Sequence, residues 1–184
     1  MSRTVNKNSF PGIFNSFFIK ENAQVLELCC GDGFNTKHFY SKKAAKVTAI
    51  DIEPTAIDHA KKFNQKDNIT YMVGDITQPL PGTAYDNIII DAAIEQLSNV
   101  QQETLLQNIK QVLKQGGSFS GLSIQKKQDT SYLHHNQNEF SSAAELKSFL
   151  LRYFSFVQVL ANEHNGKVHL YFIASDSQVK LFEH

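Results

Sequence analysis

Short β-branched runs alternate with amphipathic helical stretches through the first two thirds of the sequence, and this rhythm constrains the fold more than any other feature. Val25–Cys29 (VLELC), Val47–Asp51 (VTAID), Ile69–Val73 (ITYMV) and Asn87–Asp91 (NIIID) each read as a strand. A Gly-containing turn and a helix reaching Lys42 follow the first strand, and Pro54, at a first helical position, opens the helix PTAIDHAKKFN after the second. Between Val100 and Lys114, Leu105, Ile109, Val112 and Leu113 share one helical face; Gly116-Gly117 is expected to stop that helix before a fifth strand, Ser118–Ile124. Strands that alternate with helices pair in parallel through crossovers, so the expected fold is α/β, a Rossmann-like doubly wound, mostly parallel sheet.

The end of the chain breaks the rhythm. A helix over Ala143–Tyr153 leads into FSFVQVL and then HLYFIAS, joined through Asn165-Gly166. Asn-Gly between two apolar runs marks a hairpin, and the connection is too short for a crossover helix. The last strand is therefore expected to run antiparallel to the one before it. At 184 residues, with no repeat and no linker-like segment, the sequence reads as one domain, 1–184, in which residues 1–22 form an N-terminal lid or helix and residues 23–184 the Rossmann-like core. Phe10, Phe14, Phe17 and Phe18 show helical spacing, which suits packing or a hydrophobic cover over a site.

Charge and cysteine usage exclude several functions. Lys+Arg and Asp+Glu both number 18, for a formal net charge of 0, so no global basic field draws in a phosphate backbone and nucleic acid is disfavoured as partner. No stretch approaches the roughly 20 apolar residues of a membrane span. Cys29 and Cys30 are adjacent, where a strain-free disulfide is hard to close, and neither a second Cys pair nor a His at ligand spacing accompanies them. A reduced, cytoplasmic chain without a metal is the expectation.

Chemistry concentrates in VLELCCGDGFN, Val25–Asn35. A strand ending in a turn with Gly31 and Gly33, then a helix, lets backbone amides approach a ligand closely. Asp51 ends the next strand about 20 residues on, where a carboxylate can accept both hydroxyls of a ribose. Together they describe a nucleoside site at the C-terminal edge of the sheet.

Over most of its length the sequence resembles the class I S-adenosylmethionine-dependent methyltransferases of small, single-domain type. The family's acidic-x-Gly-x-Gly-x-Gly motif is similar to Glu27-Leu28-Cys29-Cys30-Gly31-Asp32-Gly33, and its ribose-binding acid to Asp51, with Ile52 placed against the adenine. Gly74-Asp75-Ile76 resembles the motif after the third strand, which implies that Asp75 accepts from the adenine amino group and Ile76 covers the ring. YDNIIIDAAIEQL resembles the fourth-strand segment and sets Asp91 and Ala92 beside the methionine moiety; LLQNIKQVLKQGGSF resembles the helix and Gly-Gly turn before the fifth strand. The resemblance thus implies S-adenosyl-L-methionine as cofactor, S-adenosyl-L-homocysteine as product, and Glu27, Cys29, Gly31, Gly33, Asn35, Asp51, Ile52, Asp75, Ile76, Asp91 and Ala92 as cofactor-binding residues.

Two positions depart from the pattern. Cys29 stands at the first motif glycine, where a positive φ would be costly for a side-chain-bearing residue, and Gln96 stands where many small-molecule methyltransferases have histidine. His134, His135 and Tyr132, in the polar segment KKQDTSYLHHNQNEF after the fifth strand, are the candidate catalytic residues. The expected activity is methyl transfer to an O, N or S atom of a small-molecule acceptor, since a core of this size leaves only the first twenty or so residues and one loop to recognise one. Protein or RNA methylation, a NAD-dependent oxidoreductase and a noncatalytic cofactor-binding module are the alternatives. Thr36 takes the place of the third glycine of the nicotinamide fingerprint, and the Asn/Asp-Pro-Pro-Tyr motif of amino-methylating nucleic-acid enzymes is absent after Asp91.

Overall fold

The structure, a computed structural model, describes residues 10–126, 139–164 and 166–178. Seven strands form one sheet: β1 (Gln24–Leu28), β2 (Lys46–Asp51), β3 (Ile69–Val73), β4 (Tyr85–Asp91), β5 (Leu113–Ile124), β6 (Phe156–His164) and β7 (Lys167–Ser175). The helices are α1 (Phe10–Ser16), α2 (Phe34–His38), α3 (Pro54–Phe63), α4 (Asn99–Val112) and α5 (Ala143–Leu150). Strand order is β3-β2-β1-β4-β5-β7-β6. The pairs among β1 to β5 are parallel, while β7 runs antiparallel to both β5 and β6. The expected α/β sheet and its reversed last strand are both present.

Two core layers follow from the period of two along the strands. Leu26, Leu28, Ile50, Ile88 and Ile90 pack on one face with Leu105, Leu106 and Ile109 of α4 and Leu146 and Leu150 of α5. Val25, Val47, Ala49 and Ile89 point to the other face, against Ile57 and Ala60 of α3 and Tyr40. α1 lies on this second side, where Phe10 and Phe14 set their rings 5.0 and 5.1 Å from that of Tyr171 on β7. Gly12 brings α1 onto α2: a Cβ there would lie 2.4 Å from the Phe39 ring.

Several boundaries differ from the sequence expectation. The first helix ends at His38 and passes into a 3-10 turn at Tyr40–Lys42, and α5 stops at Leu150 rather than Tyr153. β5 begins at Leu113, directly after α4, instead of Ser118. Leu113 pairs with Tyr85, and the register shifts before Asn87 pairs with Ser118, so Gly116 (φ 73) and Gly117 serve a bulge inside the strand. α4 itself starts as its sequence suggests: the Ser98 hydroxyl accepts from the Gln101 amide, and the Gln101 side chain accepts from the Ser98 amide in return.

Strand order reverses between β1 and β4, the two central strands that feed chain to opposite sides. In an open α/β sheet a ligand crevice forms beyond the C-terminal ends of the strands at that point. Among the described residues no helix is long and apolar enough to cross a membrane.

Candidate functional site

The turn leaving β1 is built from backbone conformations that side chains resist. Cys29 has φ 57, Gly31 φ 53 and Gly33 φ 76. An L-residue in the left-handed region costs roughly 1–2 kcal/mol, so Cys29 is strained at the position where the family has glycine. Across the switch point, Ala92 leaves β4 with φ 52. Both central strands therefore end in left-handed residues, which swing the chain away and open the crevice between them.

Neighbouring elements pin the turn. The Gly31 amide donates to Asp51 Oδ2 at 2.8 Å, the Cys30 amide to the Ile50 carbonyl at 3.0 Å, and the Gly33 amide to the Cys30 carbonyl at 3.0 Å. Asn64 at the end of α3 donates to the Asp32 carbonyl at 2.7 Å. The Tyr71 hydroxyl donates to the Gly33 and Asn64 carbonyls at 3.3 and 3.0 Å, and a Cβ on Gly33 would lie 2.4 Å from it. At Gly31, by contrast, no heavy atom of the described residues beyond its chain neighbours lies within 4 Å of a Cβ position, so the turn is open there.

Carboxylates surround this turn. Glu27, buried on β1, accepts from the Thr36 hydroxyl, and burial followed by the charges of Asp91, Asp32 and Asp51 pushes its carboxyl well above the usual range. Asp51 at the end of β2 accepts on its second oxygen from the Glu53 amide at 3.0 Å. The adjoining Ile52 is 58% exposed, unusual for an isoleucine, at the rim of the crevice. Asp75, just past β3, accepts on Oδ1 from the amide and hydroxyl of Thr77, both at 2.8 Å. Ile76 turns inward and joins the core with Ile50 and Leu80. Asp91 ends β4; burial raises its carboxyl to about 6, against the relief given by Tyr40 and Asn15. The Cys29 thiol is pushed up to about 12, first by burial and then by Asp51, Asp75, Glu27 and Glu95, which disfavours its thiolate form.

The structure thus brings Glu27, Cys29, Gly31, Gly33, Asp51, Asp75, Asp91 and Ala92 to one edge of the sheet, with Asn35 on the first turn of α2. Tyr132, His134 and His135 lie outside the described residues. Gln96 donates to the Ala92 carbonyl at 2.8 Å, a local bond that steadies the chain after β4. Among the described residues no cluster of three or more His, Cys, Asp or Glu side chains is arranged to hold a metal.

Three residues at the site carry no motif in the sequence. Asn15 and Tyr40 both bond Asp91, and Glu95, 3% exposed, keeps one carboxylate oxygen without a hydrogen-bond partner among the described residues. A polar residue on the aromatic face of FPGIFNSFF was the one available signal for Asn15.

Known proteins similar to this chain include methyltransferases. Residues 25–117, just over half of the chain, match the family model described as a methyltransferase domain. A malonyl-[acyl-carrier protein] O-methyltransferase of Bacillus cereus is 30% identical over 170 residues, 88% of this chain and 62% of its own length. Its counterpart in Priestia megaterium is 29% identical over 103 residues, 55% of this chain and 37% of its own. The chain thus spans between about a third and two thirds of these relatives. The DhpI complex with S-adenosylhomocysteine superposes with a TM-score of 0.70 at 19% identity, covering 92% of this chain and 86% of that one. YcgJ of Bacillus subtilis superposes with a TM-score of 0.71 at 14% identity over 94% and 100%. Motif order, switch-point geometry and the family match agree, and the chain belongs to the methyltransferase-domain family, of the class I, S-adenosylmethionine-dependent kind.

Proposed function

We propose that this chain transfers a methyl group from S-adenosylmethionine to an O, N or S atom of a small-molecule acceptor. The observation that carries the reading is the charge of the crevice. A glycine-rich turn that grips a dinucleotide offers its amides to a pyrophosphate. Here the same turn is ringed by Asp51, Asp75 and Asp91, with the buried carboxyls of Glu27 and Glu95 behind them, and its first amide is already bonded to Asp51. Such a field repels a pyrophosphate and attracts a ligand carrying a sulfonium and an ammonium group. The donor set and the open face at Gly31 therefore suit this cofactor, and they disfavour a nicotinamide one.

When bound, the cofactor supplies an electrophilic methyl group on a positively charged sulfur. In this reading Asp51 accepts the ribose hydroxyls, the exposed Ile52 borders the adenine, Asp75 receives its amino group, and Ile76, packed in the core, backs the adenine end instead of covering the ring. Cys29, Gly31, Gly33, Asn35, Asp91 and Ala92 line the methionine end. Glu27, bonded to Thr36, braces the turn from beneath. The chain's contribution to rate is alignment of the acceptor and exclusion of water; where the acceptor carries a proton, His134, His135 and Tyr132 are the groups assigned to remove it. Residues 1–22 act as a lid on a core of 23–184. A cytoplasmic setting fits the two free thiols, Cys29 and Cys30, and the net charge of 0 fits an acceptor other than nucleic acid.

A second acceptor class, a carboxylate carried on an acyl-carrier protein, is favoured by the B. cereus relative, whose similarity extends over 88% of this chain. Methyl-labelled S-adenosylmethionine offered with small alcohols, amines, thiols and carboxylates, and separately with malonyl-loaded carrier protein, tests both. Label in a small acceptor is the expected result. Label confined to the carrier protein selects the second class, and label in neither overturns both.

A further inference from the structure

Two buried polar residues around Asp91, Asn15 and Tyr40, have no part in the chemistry above. Asn15 on α1 is fully buried among aromatic neighbours, where an unpaired carboxamide is costly. Its Nδ2 donates to both carboxylate oxygens of Asp91, at 3.0 and 3.2 Å, and approaches the Tyr40 hydroxyl at 3.2 Å. The Tyr40 hydroxyl donates to Asp91 Oδ2 at 2.9 Å. Three segments far apart in sequence thus meet on the carboxylate that ends β4. Burial raises the Tyr40 phenol well above its usual range, so it stays a neutral donor.

The other end of the carboxamide is unspent. Asn15 Oδ1 is buried with no hydrogen-bond partner among the described residues, and the same holds for Asn35 Oδ1 on α2. Asn35 Oδ1 lies 2.8 Å from where a Cβ on Gly12 would sit. Gly12 and Asn15 are three residues apart and share a face of α1. Asn15 therefore carries an acceptor without a donor among the described residues while its Nδ2 holds the Asp91 carboxylate, and Asn35 carries another beside Gly12 on the same helix face; the acceptor beside the carboxylate calls for a ligand that brings N–H groups.

We propose that Asn15 completes the methyl-donor site from the N-terminal helix: its Nδ2, with Tyr40, fixes Asp91, and its Oδ1 accepts an N–H from a primary ammonium group of the bound ligand, tying α1 down over it. The inference rests on the proposed cofactor. It makes α1 part of the binding machinery through one residue, beyond the hydrophobic cover its phenylalanines suggest.

Two ligands separate this role from simple packing. S-adenosylhomocysteine carries the ammonium group, and 5′-methylthioadenosine keeps the nucleoside and sulfur but lacks it. Calorimetry on the full chain is expected to show Asn15→Leu, of similar size, binding S-adenosylhomocysteine about tenfold or more weakly, as befits a lost charge-assisted hydrogen bond, with less than a twofold change for methylthioadenosine. Tyr40→Phe removes only a hydroxyl and is expected to show the same selectivity at about threefold or more, which keeps the test open if the leucine variant folds poorly. Equal weakening of both ligands, or of neither, in the folded variants overturns the inference. Failure of the unaltered chain to bind either ligand overturns the cofactor reading itself.

Discussion

The two ends of β4 carry the same residue type in opposite states. Asp86, near its start, accepts from the Gln24 amide at 2.7 Å and from Lys114 Nζ at 2.8 Å. Burial works to raise its carboxyl, but the Gln24 and Lys114 bonds outweigh that and hold it below the ordinary value. Asp91, five residues on, meets neutral donors, the Asn15 and Tyr40 side chains and the Leu122 backbone, and burial leaves its carboxyl raised to about 6. A carboxylate that joins strands is matched with a cation and a fixed amide. One left with neutral donors in a buried crevice retains unneutralised charge, which is an asset only when a cationic ligand completes it. The sheet thus places its electrostatic satisfaction at the N-terminal edge and its electrostatic demand at the C-terminal edge.

The largest expected effect is at the demanding edge. Asp51→Ala should weaken S-adenosylhomocysteine binding by more than 1 kcal/mol by calorimetry, since a hydrogen bond to a charged group contributes roughly 1.5–3 kcal/mol. Unchanged affinity would mean that another group holds the ribose. Backbone strain comes next. Cys29→Val puts a β-branched side chain at φ 57, which should cost about 1 kcal/mol or more and lower the melting temperature by about 2–4 °C in a chain of this size. An unchanged melting temperature would show that the turn relaxes at no cost.

The smallest effect, and the sharpest contrast, is in pH dependence. Asp91 is raised in the folded chain, so the folded state binds more protons than the unfolded one between about pH 4 and 6. Its ionisation therefore removes stability as pH rises through that window. Asp86 is lowered, so its stabilisation is present above the ordinary carboxylate value and is lost as pH falls through the folded one. Urea titrations across pH should show Asp91→Asn flattening the loss between pH 4 and 6, and Asp86→Asn weakening the protein near neutrality by about 1 kcal/mol. Identical pH profiles for the two variants would dissolve the contrast.

Most strands were legible because β-branched runs and turn residues repeat at regular intervals, and Ile69–Val73 matches residue for residue. The early start of β5 was hidden because Gly116-Gly117 resembles a helix stop, whereas here it bends a strand across from Tyr85 and Asn87. At the site, Glu27, Gly31, Asp51 and Asp75 stand out through their spacing against strand ends. Asn15, Tyr40 and Glu95 do not, because their importance comes from contacts between segments 25 to 76 residues apart or from burial that no local pattern encodes. Ile76 shows the same limit in reverse, since its place in the motif does not disclose that its side chain packs into the core.

In the proposed function, the unneutralised carboxylates at the C-terminal edge receive a sulfonium-type nucleoside. Calorimetric titration of the unaltered chain with S-adenosylmethionine and S-adenosylhomocysteine near neutral pH tests it most directly. Saturable binding of both, weakening as pH falls through about 6, is the expected result. No binding of either at millimolar ligand would mean that this edge serves another ligand.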